Sequence, residues 1–198
     1  YYPNYEGIDF ESPLLSLPYL FGTEIINIPI WQKYIFADKK KISYWRKILS
    51  NKKIKIGINW HGSNDEKSFE LNHFKKIAEL PNVQLISLQK GKSEKDLNNI
   101  DFPVKSFEDE IDNEGDAFVD TAAIIVNCDL VITCDTSIAH LSGALGKTTW
   151  ILLNKIPDWR WMLNRSDTPW YSNTMLFRKT NIKSWQPIVK QIHKKIKD

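Results

Sequence analysis

Leu130-Val131-Ile132-Thr133-Cys134-Asp135-Thr136-Ser137-Ile138-Ala139-His140 passes from a β-branched run, through a polar turn, into an apolar-periodic segment. A short run with almost no polar alternation reads as a strand buried on both faces, as in the interior of a parallel sheet. Ile138, Leu141, Ala144 and Leu145 then keep helical spacing until Gly146, which suits a C-terminal cap. Asp135 stands where the N-cap of that helix would be. The amides of Thr136, Ser137 and Ile138 would be unpaired donors of a first helical turn, a place where anions bind. His140 lies one turn after Thr136 on the same face, within reach of such an anion. A plain capped helix whose histidine is satisfied by backbone fits the same spacing, and both readings stand at this level.

The same rhythm extends in both directions. Ile54 to Trp60 alternates as a strand does, Leu71 to Leu80 repeats at helical spacing until Pro81, and Val83 to Leu88 is strand again. Phe102 to Phe107 is a weaker strand candidate, and Val119 to Val126 reads as a helix with Asp120 and Thr121 near its start. Thr149 to Leu153 and Met175 to Phe177 are further strands. Trp185, Ile188, Val189, Ile192 and Ile196 share one face of a last helix, with Pro187 in its first turn and lysines at its end. Strands alternating with helices at this spacing predict an α/β chain: a mostly parallel sheet with helices on both faces, a three-layer sandwich. Residues 1–50 do not join this rhythm. Pro3, Pro13, Pro18 and Pro29 punctuate them, and only Asp38 to Leu49 looks helical. They read as a connecting arm packed on a domain formed by residues 51–198.

The chain has 198 residues, 42% hydrophobic and 26% charged, the composition of a soluble globular protein. Disordered tails, collagen-like repeats and coiled coils are excluded. Lys plus Arg number 27 against 24 for Asp plus Glu, so no basic stripe argues for a nucleic-acid partner. No apolar run approaches the roughly 20 residues that span a bilayer, and the N-terminus is not a signal peptide. A cytoplasmic location is expected. Cys128 and Cys134 cannot build a disulfide framework or a four-ligand zinc site; they read as small buried residues of a reduced protein. The chain opens at Tyr1, and its methionines are Met162 and Met175, so it is expected to be part of something longer.

In a parallel sheet, ligands bind beyond the carboxyl ends of the strands, which directs attention to the loops there. Trp60-His61-Gly62-Ser63-Asn64-Asp65-Glu66-Lys67-Ser68 follows the first strand. Gly62 permits close backbone approach, Ser63 offers a hydroxyl and Lys67 a charge suited to phosphate, although a solvated turn would look similar. No Walker loop is present. His61 and His140 lack a third ligand at useful spacing, so no metal is expected. Ser87-Leu88-Gln89-Lys90-Gly91 ends another strand, where Gln89 could meet a base or ribose. Asp158-Trp159-Arg160-Trp161, continuing through Arg165 to Trp170-Tyr171, carries the density of Trp and Arg that marks contact surfaces. Packing against the sheet edge would also account for it.

Asp120-Thr121-Ala122-Ala123-Ile124-Ile125, Cys128-Asp129-Leu130-Val131-Ile132 and Asp135-Thr136-Ser137-Ile138-Ala139-His140-Leu141-Ser142-Gly143-Ala144-Leu145-Gly146 resemble the nucleotide-sugar half of the heptosyltransferase-like glycosyltransferases, glycosyltransferase family 9. The resemblance is closer still to the catalytic domains that follow tetratricopeptide repeats in many bacterial proteins. It extends from Pro13-Leu14-Leu15-Ser16-Leu17-Pro18 through Trp60-His61-Gly62-Ser63 and Ser87-Leu88-Gln89-Lys90-Gly91 to Asp158-Trp159-Arg160-Trp161. Each block alone is weak; their order makes the set strong.

The resemblance implies a GT-B fold, two Rossmann-like domains facing across a cleft, of which this chain would be the C-terminal one. It implies that Asp135, Thr136, Ser137 and Ile138 bind the donor diphosphate, that His140 is the motif histidine, and that Ser63 and Lys67 form a second phosphate loop. Gln89 would lie near the nucleoside, and Trp159, Arg160 and Trp161 would contact an acceptor or another domain. Transfer from a nucleotide-diphosphate sugar would be inverting and metal-independent, with no cofactor, to a glycan, lipid or protein acceptor. The family's carboxylate base belongs to the N-terminal domain, before this chain begins, and Lys67-Ser68 stands where relatives usually carry Arg-Ser. The expectation is thus a donor-binding half that an N-terminal domain or repeats would complete. The alternative is a non-catalytic nucleotide- or protein-binding module of the same fold.

Overall fold

A computed structural model describes residues 7–29, 32–62, 67–107, 110–113, 117–180 and 184–197. Five strands form one parallel sheet: β1 (Ile54–Asn59), β2 (Val83–Ser87), β3 (Leu130–Cys134), β4 (Thr149–Leu153) and β5 (Thr174–Arg178). Their spatial order is β2-β1-β3-β4-β5. The helices are α1 (Leu17–Leu20), α2 (Lys39–Ile48), α3 (Lys75–Ala78), α4 (Val119–Asn127), α5 (Ser137–Ala144) and α6 (Gln186–Lys197). This is a Rossmann-like α/β sandwich of the kind the strand and helix spacing predicts.

The pleat sorts the strand residues between the two faces, because successive side chains point oppositely. Ile56, Ile58, Leu130, Ile132, Trp150 and Leu152 meet Ile77 of α3 and Ile188, Val189 and Ile192 of α6. On the other face, Ile86 and Val131 pack with Ala122 to Ile125 of α4, and with Trp45 and Leu49 in and after α2. Ile151, Leu153 and Leu176 pack with Ala139, Ala144, Trp161 and Tyr171. All of β3 and β4 is buried, which explains why they carry no polar alternation.

Helix α2 is capped by Asp38, whose Oδ1 accepts the Lys41 amide at 2.8 Å. It packs on α4 through Trp45, fully buried, whose indole N–H donates to Asp120 at 2.7 Å. Further up the arm, the amides of Tyr34 and Ile35 both donate to the Ala144 carbonyl at the end of α5, at 3.0 and 3.2 Å.

Two elements differ from expectation. Phe102 to Phe107 is not a strand: Lys105 alone bridges β2, donating to Leu85 O and accepting from Ser87 N. Pro103 has no amide hydrogen and cannot continue a ladder. The helical stretch from Leu71 begins as a 3₁₀ turn over Leu71–Phe74 and becomes α-helical only at α3. Both cysteines are buried and unpaired. Among the described residues, no helix is long and apolar enough to cross a membrane.

Candidate functional site

Strands β1 and β3 are neighbours, but the chain leaves β1 toward β2 on one side and continues from β3 toward β4 on the other. At such a switch point the loops beyond the strand ends part and leave a crevice. A cleft of about 950 Å³ lies there, lined among others by Asn59, Lys67, Gln89, Thr121, Thr136 and His140.

Asn59, the last residue of β1, ties the ends of three strands together. Its Nδ2 donates to Gln89 Oε1 at 2.9 Å, while its Oδ1 accepts the Thr133 and Thr136 hydroxyls at 3.2 and 3.0 Å. Gln89 Oε1 also accepts the amides of Trp60 and His61, at 3.3 and 3.0 Å. Buried polar groups persist when bonded in this way. Gln89 therefore borders the cleft as a structural clasp, with its carbonyl oxygen already engaged.

Asp135 is not the N-cap of α5. Thr136 occupies that position, and its side chain makes no capping bond because the hydroxyl points to Asn59. The Asp135 carboxylate instead accepts Lys67 Nζ and the Trp161 indole N–H, each at 2.9 Å. The first turn of α5 opens on the cleft, lined by Thr136, Ser137 and Ile138, and first-turn amides have no intrahelical acceptor. Gly62 sits where a Cβ would lie 2.8 Å from Lys67 Cβ, so a bare backbone lets the loop fold onto itself. Ser63 lies outside the described residues.

His140 borders the same cleft, half-buried. Its Nδ1 is 2.9 Å from the Tyr171 hydroxyl, and its ring stacks on Trp161 at 5.1 Å between centroids and 18° between planes. Burial pushes the imidazole below its ordinary value; Asp135 and Asp158 oppose that, while Arg160 and Lys67 add to it. Tyr171 is buried against α5, its ring lying over Gly143.

The Trp-rich loop divides. Trp161 is wholly buried and offers no surface to an acceptor or another domain, because its indole is spent between His140 and Asp135. Trp159 is 69% exposed, with the Arg160 guanidinium 4.9 Å from its ring centre. Arg160 reaches the cleft and pairs with Asp158 at 2.8 Å.

On the opposite wall, Asp112 adopts φ 52° and caps α4, accepting the Asp120 amide at 2.7 Å as well as the Thr121 amide and hydroxyl. Asp112, Tyr171 and Asn59 have no place among the residues the sequence nominates. Asn59 alone carried a local signal, a polar residue ending an apolar strand. Each carboxylate lining the cleft among the described residues (Asp112, Asp135, Asp158) already accepts hydrogen bonds. No group of three or more His, Cys, Asp or Glu converges among those residues as a metal site would.

No protein-family model matches the sequence, and no curated protein does. The fold is similar to solved glycosyltransferase structures. ADP-heptose lps heptosyltransferase II of E. coli aligns with TM-score 0.59 and 12% identity over 87% of this chain and 56% of that one. A glycosyl transferase family 9 protein of Veillonella parvula aligns at 0.57 and 13%, over 83% and 46%. The E. coli heptosyltransferase WaaC, solved with ADP-2-deoxy-2-fluoro heptose, aligns at 0.56 and 15%, over 79% and 47%. The chain thus spans about half the length of the structures it matches.

Proposed function

We propose that this chain is the nucleotide-sugar-binding half of a GT-B glycosyltransferase. The observation that carries the reading is the cleft at the β1/β3 switch point, where the open first turn of α5 converges with Lys67 and His140. A helix N-terminus supplies amide donors and a partial positive charge to a diphosphate. Lys67 would exchange part of its bond to Asp135 for the phosphate, while Asp135 keeps Trp161 in place. The similarity to a heptosyltransferase solved with a nucleotide-sugar analogue supports the same reading at the level of fold.

In this proposal transfer is inverting and needs no metal: helix-end amides and side chains stabilise the departing diphosphate electrostatically. A general base must come within hydrogen-bond reach of the acceptor hydroxyl. Because each described carboxylate of the cleft is already committed, the base is assigned to a part of the protein outside this chain. The arm of residues 1–50 would rest on that part. Phe10, Leu15, Tyr19 and Ile26 are 94, 90, 87 and 90% exposed. The total accessible surface, 12840 Å², exceeds the roughly 9,700 Å² expected of a compact protein of this mass. The committed carboxylates would equally suit a module that binds a nucleotide without catalysis, the second reading.

Calorimetric titration with UDP, GDP, ADP and CMP tests the first. One nucleotide should bind selectively, and Lys67→Ala should weaken it about ten- to a hundredfold, the loss of one charge-assisted hydrogen bond. No binding by the chain, alone or within its full-length protein, would refute the proposal. Binding without sugar transfer by the full-length protein would favour the module.

A further inference from the structure

Tyr171 has no role in the reading above, yet its hydroxyl is the partner of His140 Nδ1 at 2.9 Å. Behind it, Tyr171 is hydrogen-bonded to Tyr34 of the arm, which is held to the end of α5 through Ala144 O. A Tyr34–Tyr171–His140 chain therefore runs from the outside of the fold to the cleft. With one ring face on Trp161 and Nδ1 on Tyr171, Nε2 is the remaining polar edge of the imidazole at the cleft.

We propose that Tyr171 fixes His140 as a neutral imidazole protonated on Nε2, and that this N–H is offered to an anionic oxygen in the cleft. The inference rests on the reading of the cleft as a phosphate site. Acid–base matching sets the direction of the bond. A phenol O–H is a stronger donor than a neutral imidazole N–H, and an imidazole nitrogen a stronger acceptor than a phenol oxygen. Tyr171 therefore donates to Nδ1, leaving the ring proton on Nε2. The surroundings hold the ring neutral. His140 sits in the first turn of α5, where the helix dipole disfavours a cation. Arg160 and Lys67 add to that, Asp135 and Asp158 oppose it, and burial exceeds the other influences. Tyr171 is thus a positioning residue: it presents a donor that does not depend on capturing a proton.

The test is a two-bond proton–nitrogen correlation spectrum of the whole chain without ligand at pH 7.5, with His61, His73 and His193 as internal controls. His140 should show an unprotonated Nδ1 and a protonated Nε2; the reverse assignment overturns the proposal, and this measurement needs no variant. Tyr171→Phe should produce a mixture of tautomers. It should also raise the His140 titration midpoint by about half to one pH unit, because the lost bond stabilises only the neutral ring. An unmoved midpoint would make Tyr171 mere packing and overturn its role. Saturating inorganic pyrophosphate should shift Nε2 and leave Nδ1 unprotonated, whereas no shift at His140 overturns the ligand half. Failure of every nucleotide to bind would sink the donor-site reading and leave the tautomer assignment as measured.

Discussion

Replacing Gly143 by alanine sets two effects against each other, and the structure decides which prevails. Inside a helix the change gains about 1 kcal/mol of propensity. At this position, however, the new Cβ would lie 2.4, 2.6 and 2.7 Å from Cγ, Cδ1 and Cδ2 of Tyr171. Carbon atoms rest roughly 3.5–4.0 Å apart, so the ring must retreat by about an ångström. It has little room, being 8% exposed with its hydroxyl engaged by His140. Overpacking of this kind costs about 1–3 kcal/mol, and a strained or broken bond to His140 about another 1 kcal/mol. The expected net loss is about 2 kcal/mol, roughly 4–8 °C in Tm for a chain of this size. Urea denaturation should show a lower midpoint with an unchanged slope, and the His140 titration should move up as it does in Tyr171→Phe. A Gly143→Ala protein as stable as the parent would refute the close approach of ring and helix.

Asp120→Asn should cost about 3 kcal/mol by chemical denaturation, since the buried carboxylate takes bonds from Trp45, Lys41 and the Asp112 amide. Burial alone would raise the Asp120 carboxyl, but these donors outweigh it and hold it below its ordinary value. Its contribution is therefore present above the unfolded carboxylate value of about 3.9 and lost as pH falls through the folded one. Acid unfolding should be steeper in the parent than in Asp120→Asn. Burial pushes the Cys128 thiol up to about 12 and Cys134 further in the same direction, so a thiol reagent at pH 8 should label neither until urea unfolds the chain. Gly146→Ala should destabilise by about 2 kcal/mol, because φ is +72° and Gln32 O would meet the new Cβ at 2.5 Å. Faster limited proteolysis of the arm should accompany that loss.

The sheet was readable because its signals are local. A strand buried on both faces must be apolar at every position, and β3 and β4 announce themselves in that way. Gly146, Pro187 and Asp38 mark helix ends through properties of single residues, and each stands at or beside the end it predicts. Phe102 to Phe107 misled for the same reason: its apolar content suits an edge strand, but pairing beyond Lys105 needed an amide that Pro103 lacks. The 3₁₀ turn at Leu71 and the inward side of Trp161 depend on what packs against them, which local spacing does not encode.

The site was legible as a location and illegible as a set of pairs. Knowing that a strand ends at Cys134 and a helix starts at Ser137 places the cleft, because strand ends in a parallel sheet share one edge. It does not say that Asp135 will turn from the helix toward Lys67 and Trp161, partners 68 and 26 residues away. Local propensity favours Asp as an N-cap by about 1 kcal/mol. A cation and an indole N–H converging on one partly buried carboxylate exceed that preference. Asn59 and Tyr171 belong to the same class, since each earns its place through bonds to other strands or helices. The residues that shape the chemistry of this cleft are those whose partners the topology, not the neighbouring sequence, delivers.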